Sequence, residues 1–389
     1  MNKLAPVEKL QSVDLVRSFS ILAVLAYHLK NSQVLDSLSP GSNFPWTKFS
    51  NNGHLGVSVF FVISGFLITR LIAKQPTGLF KPNKLDFYSR RIGRIIPLLT
   101  LVCLVGAWMI YHAPAQTPQF EYCVKSPDAF IGPLHWFSIA TFTFNWYVTL
   151  FCFHPYLGIQ WDILWSLSIE EQFYLFYPLI LRQLKRERLL FNFLIFLVFF
   201  GLLIRGLNIF LYPDVLSYNS FQNFDMVSIG CLLFLTSERF KNYLGKSKKT
   251  CFCFCLSGFA LAAMVYFHIP PKPELWFYLF GRFLLGSGVF LFLLGAIHQK
   301  WFESGYFRPF SLPGHLSYGM YLLHPLVLYF MWNTLKGQNT WLSYFLFTFV
   351  TVTIAYLSYR FYEMPMNLWL RKGLGRMDKL LRVDVLNKF

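Results

Sequence analysis

Apolar runs of about 20 residues recur along the whole chain, and a helix of that length is what crosses the hydrocarbon core of a bilayer. Ten such runs fit, at roughly 12–30, 55–73, 95–112, 163–182, 189–211, 220–236, 251–269, 276–298, 312–331 and 341–360. The predicted class is therefore all-α: a polytopic membrane protein of ten transmembrane helices. Composition agrees, because 55% of the 389 residues are hydrophobic and only 14% are charged, which leaves little to coat a large soluble core. The first run has no small-residue cleavage site after it, so it is expected to stay as a span rather than leave as a signal peptide.

A formal net charge of +17 would suit a nucleic-acid binder, but its distribution excludes that partner. Basic residues gather in alternate loops: Lys74 to Arg94, "LRQLKRER" at 181–188, "RFKNYLGKSKK" at 239–249, and the tail after Arg371. This is the positive-inside pattern of a protein whose partner is the phospholipid bilayer. It predicts that both termini are cytoplasmic, since an odd number of spans would break the asymmetry. Residues 1–370 then form one transmembrane domain. The tail 371–389 alternates apolar and basic residues and is expected to lie on the inner leaflet. Residues 113–162, rich in Pro, His and aromatics, are placed outside as a helical hairpin or a re-entrant piece. Cys123 and Cys152 fall in that segment, where an oxidising compartment would allow a disulfide. Cys251, Cys253 and Cys255 read as small buried hydrophobes. No pair has zinc spacing, so no metal site is expected.

Ionisable residues inside spans cost free energy and by default mark a functional path. The first span, "DLVRSFSILAVLAYHLK", keeps two. Eleven residues at roughly 100° each bring Arg17 and His28 within some 20° of one face, roughly 16 Å apart along the axis. A cleft holding both suits a long ligand with an anionic end and a reactive end. Asp14, at i, i+3 from Arg17, offers that cation a local partner. In "FYSRRIGRIIP" three guanidiniums, Arg90, Arg91 and Arg94, fall in five residues. That exceeds what topology needs, and arginines in groups favour phosphate through forked hydrogen bonds. The ten-span plan puts His28, Glu170, Asp225 and His324 at a similar depth toward the outside, and collects the arginines at the inside. Ser64 in "GVSVFFVISGFLITR" is read mainly as a close-packing residue; as a nucleophile it has no evident base nearby.

Six motifs in order resemble the acyltransferase-3 family of integral-membrane acyltransferases, many of which acetylate bacterial surface sugars. "VDLVRSFSILAVLAYH" is similar to the family's opening Arg-x10-His element, and "GHLGVSVFFVISGFLI" to its Gly-Val-x-x-Phe-Phe-x-x-Ser-Gly-Phe signature. "FYSRRIGRIIP" resembles the basic Arg-x-x-Arg-x-x-Pro piece and "WSLSIEEQFYLFYPL" the Trp-Ser-Leu-x-x-Glu block. "LSYGMYLLHPLV" and "YRFYEMP" resemble the two closing elements. The likeness covers residues 12–370. Ser18 stands where glycine is common, and no appended esterase-like domain is expected.

The resemblance implies an O-acetyltransferase of the bacterial inner membrane, with acetyl-coenzyme A as co-substrate. The acceptor would be a surface polysaccharide such as a lipopolysaccharide O-antigen, or a lipid-linked sugar. Coenzyme A phosphates would sit on Arg91 and Arg94, with Arg90 beside them and Arg17 at the mouth. The pantetheine arm would run along the first helix to His28. His28 would act as general base or take the acyl group itself. Glu170 would orient its imidazole, while Glu171, about 100° round the helix, would face elsewhere. Ser166, Tyr318 and Tyr321 would donate to the developing oxyanion; Asp14, Ser64, Asp225 and His324 would support the site. Two alternatives stand beside this one: a transporter or flippase of a lipid-linked sugar, and an acyltransferase for succinyl or longer groups. A homo-oligomer is compatible with the sequence.

Overall fold

The computed structural model describes residues 10–32, 45–112, 133–151, 163–211, 219–268, 275–336, 338–370 and 373. Every element in them is helical. In chain order they are α1 (Gln11–Asn31), α2 (Pro45–Asn51), α3 (Leu55–Ala73), α4 (Lys84–His112), α5 (Pro133–Ala140), α6 (Phe144–Phe151), α7 (Leu164–Leu184) and α8 (Glu187–Leu211). There follow α9 (Ser220–Arg239), α10 (Lys241–Leu244), α11 (Lys248–Phe267), α12 (Leu275–Ala296), α13 (Arg308–His315), α14 (Ser317–Leu335) and α15 (Thr340–Ser358). A π-helical turn, Tyr359–Glu363, follows α15 without a break.

Among the described residues seven helical segments are long and apolar enough to cross a membrane: α1, α3, the greater part of α4, α8, α11, α12, and α15 with the helix that continues it. The chain is a multi-pass membrane protein. The three remaining long helices are α7, α9 and α14. They coincide with expected spans but carry Glu170 and Glu171, Gln222 to Asp225, and His324, which lowers their mean hydropathy. Stripes of large exposed apolar side chains, Phe196, Phe199 and Leu203 on α8 and Phe252, Leu256 and Phe259 on α11, mark outward faces suited to lipid.

Helix α3 sits at the centre, with 78% of its apolar window buried, against 28% for α8 and α11. It approaches α9 closely because each helix offers a glycine to the other's backbone. A Cβ on Gly65 would collide with the Val227 carbonyl, and one on Gly230 with the Val62 carbonyl. Such reciprocal small residues let membrane helices meet at backbone distance. One core surrounds this contact, with Phe61, Phe66, Phe173, Tyr177, Met226 and Leu293. A second joins α1, α4, α14 and α15 through Ile21, Leu25, Leu98, Met320 and Phe347.

Three expectations change. The helix of the third expected span, α4, begins at Lys84 rather than near 95, so Arg90, Arg91 and Arg94 lie within it, about two to three turns from its start. The run at 312–331 is broken between α13 and α14, where Gly314 N–H donates to Ser18 Oγ at 2.7 Å. That hydrogen bond gives Ser18 a role at the position where glycine is common. Asp225, expected near the site, is instead buried in an ion pair with Arg205 at 2.6 Å. Arg205 also donates to the Gln222 and Leu279 carbonyls, tying α8, α9 and α12 together. Within 113–162, residues 133–151 form α5 and α6, joined by a turn in which Thr143 N–H donates to the Ser138 carbonyl at 2.8 Å. Cys123, Cys152 and the tail expected on the inner leaflet fall outside the described residues, Gly373 excepted.

The α3–α9 contact yields a first prediction. Gly65→Leu will lower thermal stability in detergent by about 1–3 kcal/mol or more through overpacking. Gly78→Ala, beside which a Cβ meets nothing within 4 Å, will cost less despite its positive φ of 74°. Equal losses in the two melting curves would contradict the packing account.

Candidate active site

Five helices, α1, α3, α4, α7 and α14, enclose a cavity of about 290 Å³. Its polar lining includes Arg17, Ser64, Arg91, Arg94, Ser166, Glu170, Tyr174, Ser317, Tyr318 and Tyr321; Val57, Phe60, Leu67, Ile68, Ile95 and Leu322 supply apolar wall. A second cavity of about 340 Å³ shares Arg17, Arg94 and Tyr318 with the first, and continues past His315, Tyr359, Glu363 and Asn367. Three guanidiniums thus border the first cavity, two of them at its junction with the second.

Each guanidinium is held differently. Arg17 Nη2 donates to Ser317 Oγ at 2.7 Å, and its Nη1 lies 3.5 Å from Asp14 Oδ1. Arg91 Nη2 donates to Glu171 Oε1 at 3.1 Å, while its guanidinium carbon sits 3.7 Å over the centre of the Tyr174 ring. A cation between a carboxylate and an aromatic face is stabilised on both sides where water is scarce. Arg94 is exposed and makes no hydrogen bond or ion pair among the described residues. Arg90 does not reach the cavity: its Nε donates to both Asp86 oxygens at 2.9 Å.

The carboxylates depart from expectation. Glu170 was expected to hold His28; instead Ser64 Oγ donates to its Oε1 at 2.7 Å and Tyr174 OH to its Oε2 at 3.3 Å. Ser64 therefore has a base beside it, which the sequence did not reveal. Glu171, expected to face elsewhere, anchors Arg91 at the cavity wall. The separation of acid and base by depth fails with these pairs, because α4 carries its arginines far enough along to meet α7. The three hydroxyls expected at an oxyanion are occupied. Tyr318 OH donates to the Ile95 carbonyl at 2.8 Å. Ser166 Oγ and Tyr321 OH lie 2.7 Å apart, both 3.1 Å from the accepting Ile163 carbonyl.

His28 keeps different company. Its ring centre is 4.8 Å from that of His324 and 5.4 Å from that of Tyr27. His324 is fully buried; its Nδ1 lies 3.2 Å from the Met320 carbonyl and its Nε2 has no partner among the described residues. Neither histidine lines the cavity. Tyr321 does, and its ring stands 5.8 Å from His324 and 6.4 Å from Phe60, which also lines the cavity.

A family profile described as an acyltransferase domain matches residues 10–360. The chain belongs to the acyltransferase-3 family. It is 27% identical over 375 residues to the O-acetyltransferase OatA of Staphylococcus aureus strain NCTC 8325, covering 92% of this chain and 57% of that one. A putative O-acetyltransferase of Staphylococcus aureus strain COL is 28% identical over 374 residues, covering 91% and 56%. The chain thus spans a little over half the length of these relatives. No solved structure matches.

Among residues of this acyltransferase domain that sequence reasoning passed over, Tyr174 was accessible: at i+4 from Glu170 it shares that residue's helix face. Ser317 and Glu363 stood inside quoted motifs but had no visible partner. Glu363 accepts from Ser358 Oγ at 3.0 Å across the π-helical turn, and such turns frequently mark functional sites.

The Arg91–Glu171 pair supports a second prediction. Glu171→Ala alone will lower stability by about 3–5 kcal/mol, because it strands a cation with little water around it. The double variant Arg91→Met, Glu171→Ala will recover much of that loss. A double variant no more stable than Glu171→Ala, in thermal melts of detergent-purified protein, would remove the pair from the account.

Proposed function

We propose that this domain is a membrane O-acetyltransferase that takes an acetyl group from acetyl-coenzyme A at the inner face and passes it to a saccharide hydroxyl at the outer face of the bacterial plasma membrane. The observation that carries this reading is the joining of two cavities at Arg17, Arg94 and Tyr318, beneath a histidine pair on α1 and α14. Topology supports the direction. On a ten-span plan with both termini cytoplasmic, Arg17 lies near the inner end of α1 and His28 near its outer end.

The lining fits such a donor. Arg94, exposed and without a fixed partner, would take phosphate oxygens, with Arg17 behind it; the second cavity would receive the nucleotide portion. Apolar walls from Ile68, Leu67 and Phe60 suit the alkyl parts of a pantetheine arm, and the Ser64–Glu170 pair offers hydrogen bonds to its amides. Acetyl-coenzyme A supplies an activated acyl carbon, and the chain's groups govern the proton. A neutral imidazole at His28 would accept the acceptor hydroxyl's proton as that oxygen attacks, and return it to the leaving sulfur. His324 would hold the His28 ring in place from α14. Arg91, already committed to Glu171 and Tyr174, shapes the cavity and leaves the phosphates to Arg94 and Arg17. The relative named OatA is described as an O-acetyltransferase, which agrees with this chemistry; the acceptor, whether lipid-linked sugar or polysaccharide, belongs to the same reading.

Purified protein in nanodiscs, given acetyl-coenzyme A and a surface glycan, should release free thiol. His28→Ala should reduce turnover by 100-fold or more while donor binding persists, in line with the 10²–10⁴-fold that general-base catalysis contributes. Arg94→Ala should raise the donor KM about tenfold with less effect on kcat. Wild-type turnover in His28→Ala would overturn the mechanism. Movement of labelled sugar across the bilayer without thiol release would favour the transporter.

A further inference from the structure

Arg282 lies in an otherwise apolar helix, α12, and points toward α9. Its Nη1 donates to Asn223 Oδ1 at 2.9 Å, and no other hydrogen bond or ion pair holds it among the described residues. It shares its surroundings with Arg205 and Asp225. That carboxylate is committed to Arg205 at 2.6 Å and also accepts from the Met226 N–H. Among the described residues one carboxylate therefore faces two guanidiniums, leaving a positive charge uncompensated by them among apolar helices. Such a charge is expensive to keep there without a counter-ion. A snorkelling arginine would relieve this by reaching to an interface, whereas this one is tied inward to Asn223.

The position of Arg282 relates it to the transfer site. It lies within electrostatic reach of His54, at the start of α3. The His54 ring packs on Tyr27 with 5.4 Å between centres, and Tyr27 packs on the proposed catalytic His28. Helices α1, α3, α9 and α12 thus converge on one seam, with an imidazole for proton transfer on one side and an unsatisfied guanidinium on the other. On the ten-span plan this is the outer end of the bundle.

We propose that Arg282 binds an anionic group of the acceptor, so that the substrate class is a saccharide bearing a carboxylate or a phosphate near the acetylated hydroxyl. The inference rests on the O-acetyltransferase reading. A planar guanidinium with most of its donors unspent forms forked hydrogen bonds with either oxyanion. The ligand would bring the missing negative charge into the seam and hold its hydroxyl on the His28 side.

Matched acceptors in nanodiscs test it. One pair is an oligosaccharide carrying a carboxylate and the same oligosaccharide with that group reduced to an alcohol. The other is a lipid-linked sugar diphosphate and its dephosphorylated form. Wild type should favour the anionic member of one pair at least tenfold in KM and in equilibrium binding without donor; the pair that shows it identifies carboxylate or phosphate. Arg282→Gln should abolish that preference and Arg282→Lys should restore part of it. Equal affinity of wild type for both members of both pairs overturns the proposal, whatever the variants do. So does an Arg282→Gln protein that loses activity on charged and neutral acceptors alike. Binding preference without thiol release would leave the anion site standing and sink the transferase reading, whereas thiol release without preference would do the reverse.

Discussion

A guanidinium inside an apolar helical bundle must meet a counter-charge or an aromatic face, and Arg91 meets both. Glu171 and the Tyr174 ring clamp it, which locks α4 against α7 and sets the width of the cavity between them. The other assignments follow from this one. With Glu171 taken, Glu170 is left to Ser64 and Tyr174. With Arg17 tied to Asp14 and Ser317, Arg94 is the cation on the cavity wall left without a fixed partner. Arg17 and Arg94 border both cavities, so a ligand crossing from one to the other passes between two positive charges. That junction favours a polyanionic ligand on electrostatic grounds alone.

The histidine pair obeys a different constraint, one written in the dipeptide His324–Pro325. Proline has no N–H, so α14 loses a backbone hydrogen bond at that turn. The His324 Nδ1 lies beside the Met320 carbonyl, which leaves Nε2 without a partner among the described residues. A buried polar atom without a partner costs roughly 1–3 kcal/mol. Its persistence beside the one face of α1 that carries both Arg17 and His28 is easier to explain by a ligand hydroxyl than by packing.

Much of the architecture was legible because lipid enforces it. Helices α3, α9 and α15 begin within a residue of where apolar runs begin, and the register of Arg17 with His28 needs only helix geometry. What could not be read was which neighbour each polar side chain finds. Helix periodicity gives the face of Glu171 but not the helix opposite, and Arg91 lies 80 residues away in sequence. The base beside Ser64 is hidden for the same reason: Glu170 is 106 residues distant. Topology misled over Asp225 and over the depth of the arginines, since it assigns sides of a membrane and not neighbours. The early start of α4 was hidden by its first turns, whose charged residues resemble a loop but form a helix around the Asp86–Arg90 pair at i, i+4.

The three long helices that fall below the apolarity of a typical span are also those that bring Glu170, Asp225 and His324 into the interior. Hydropathy measures what a helix would lose if lipid surrounded it, and these helices are not so placed. Polar groups on α7 and α9 are met by Ser64, Arg91 and Arg205 from helices that are themselves apolar enough to span. Each partner thereby lowers the cost of the other's polar residue. The outer helices α8 and α11, which show most of their surface outward, cannot make that exchange on their exposed faces and remain almost wholly apolar there. The arrangement concentrates ionisable chemistry along one internal path from the Arg94 junction to the α1–α12 seam. Tyr321, which lines the first cavity and stands 5.8 Å from the His324 ring, is the side chain through which that cavity adjoins the histidine pair.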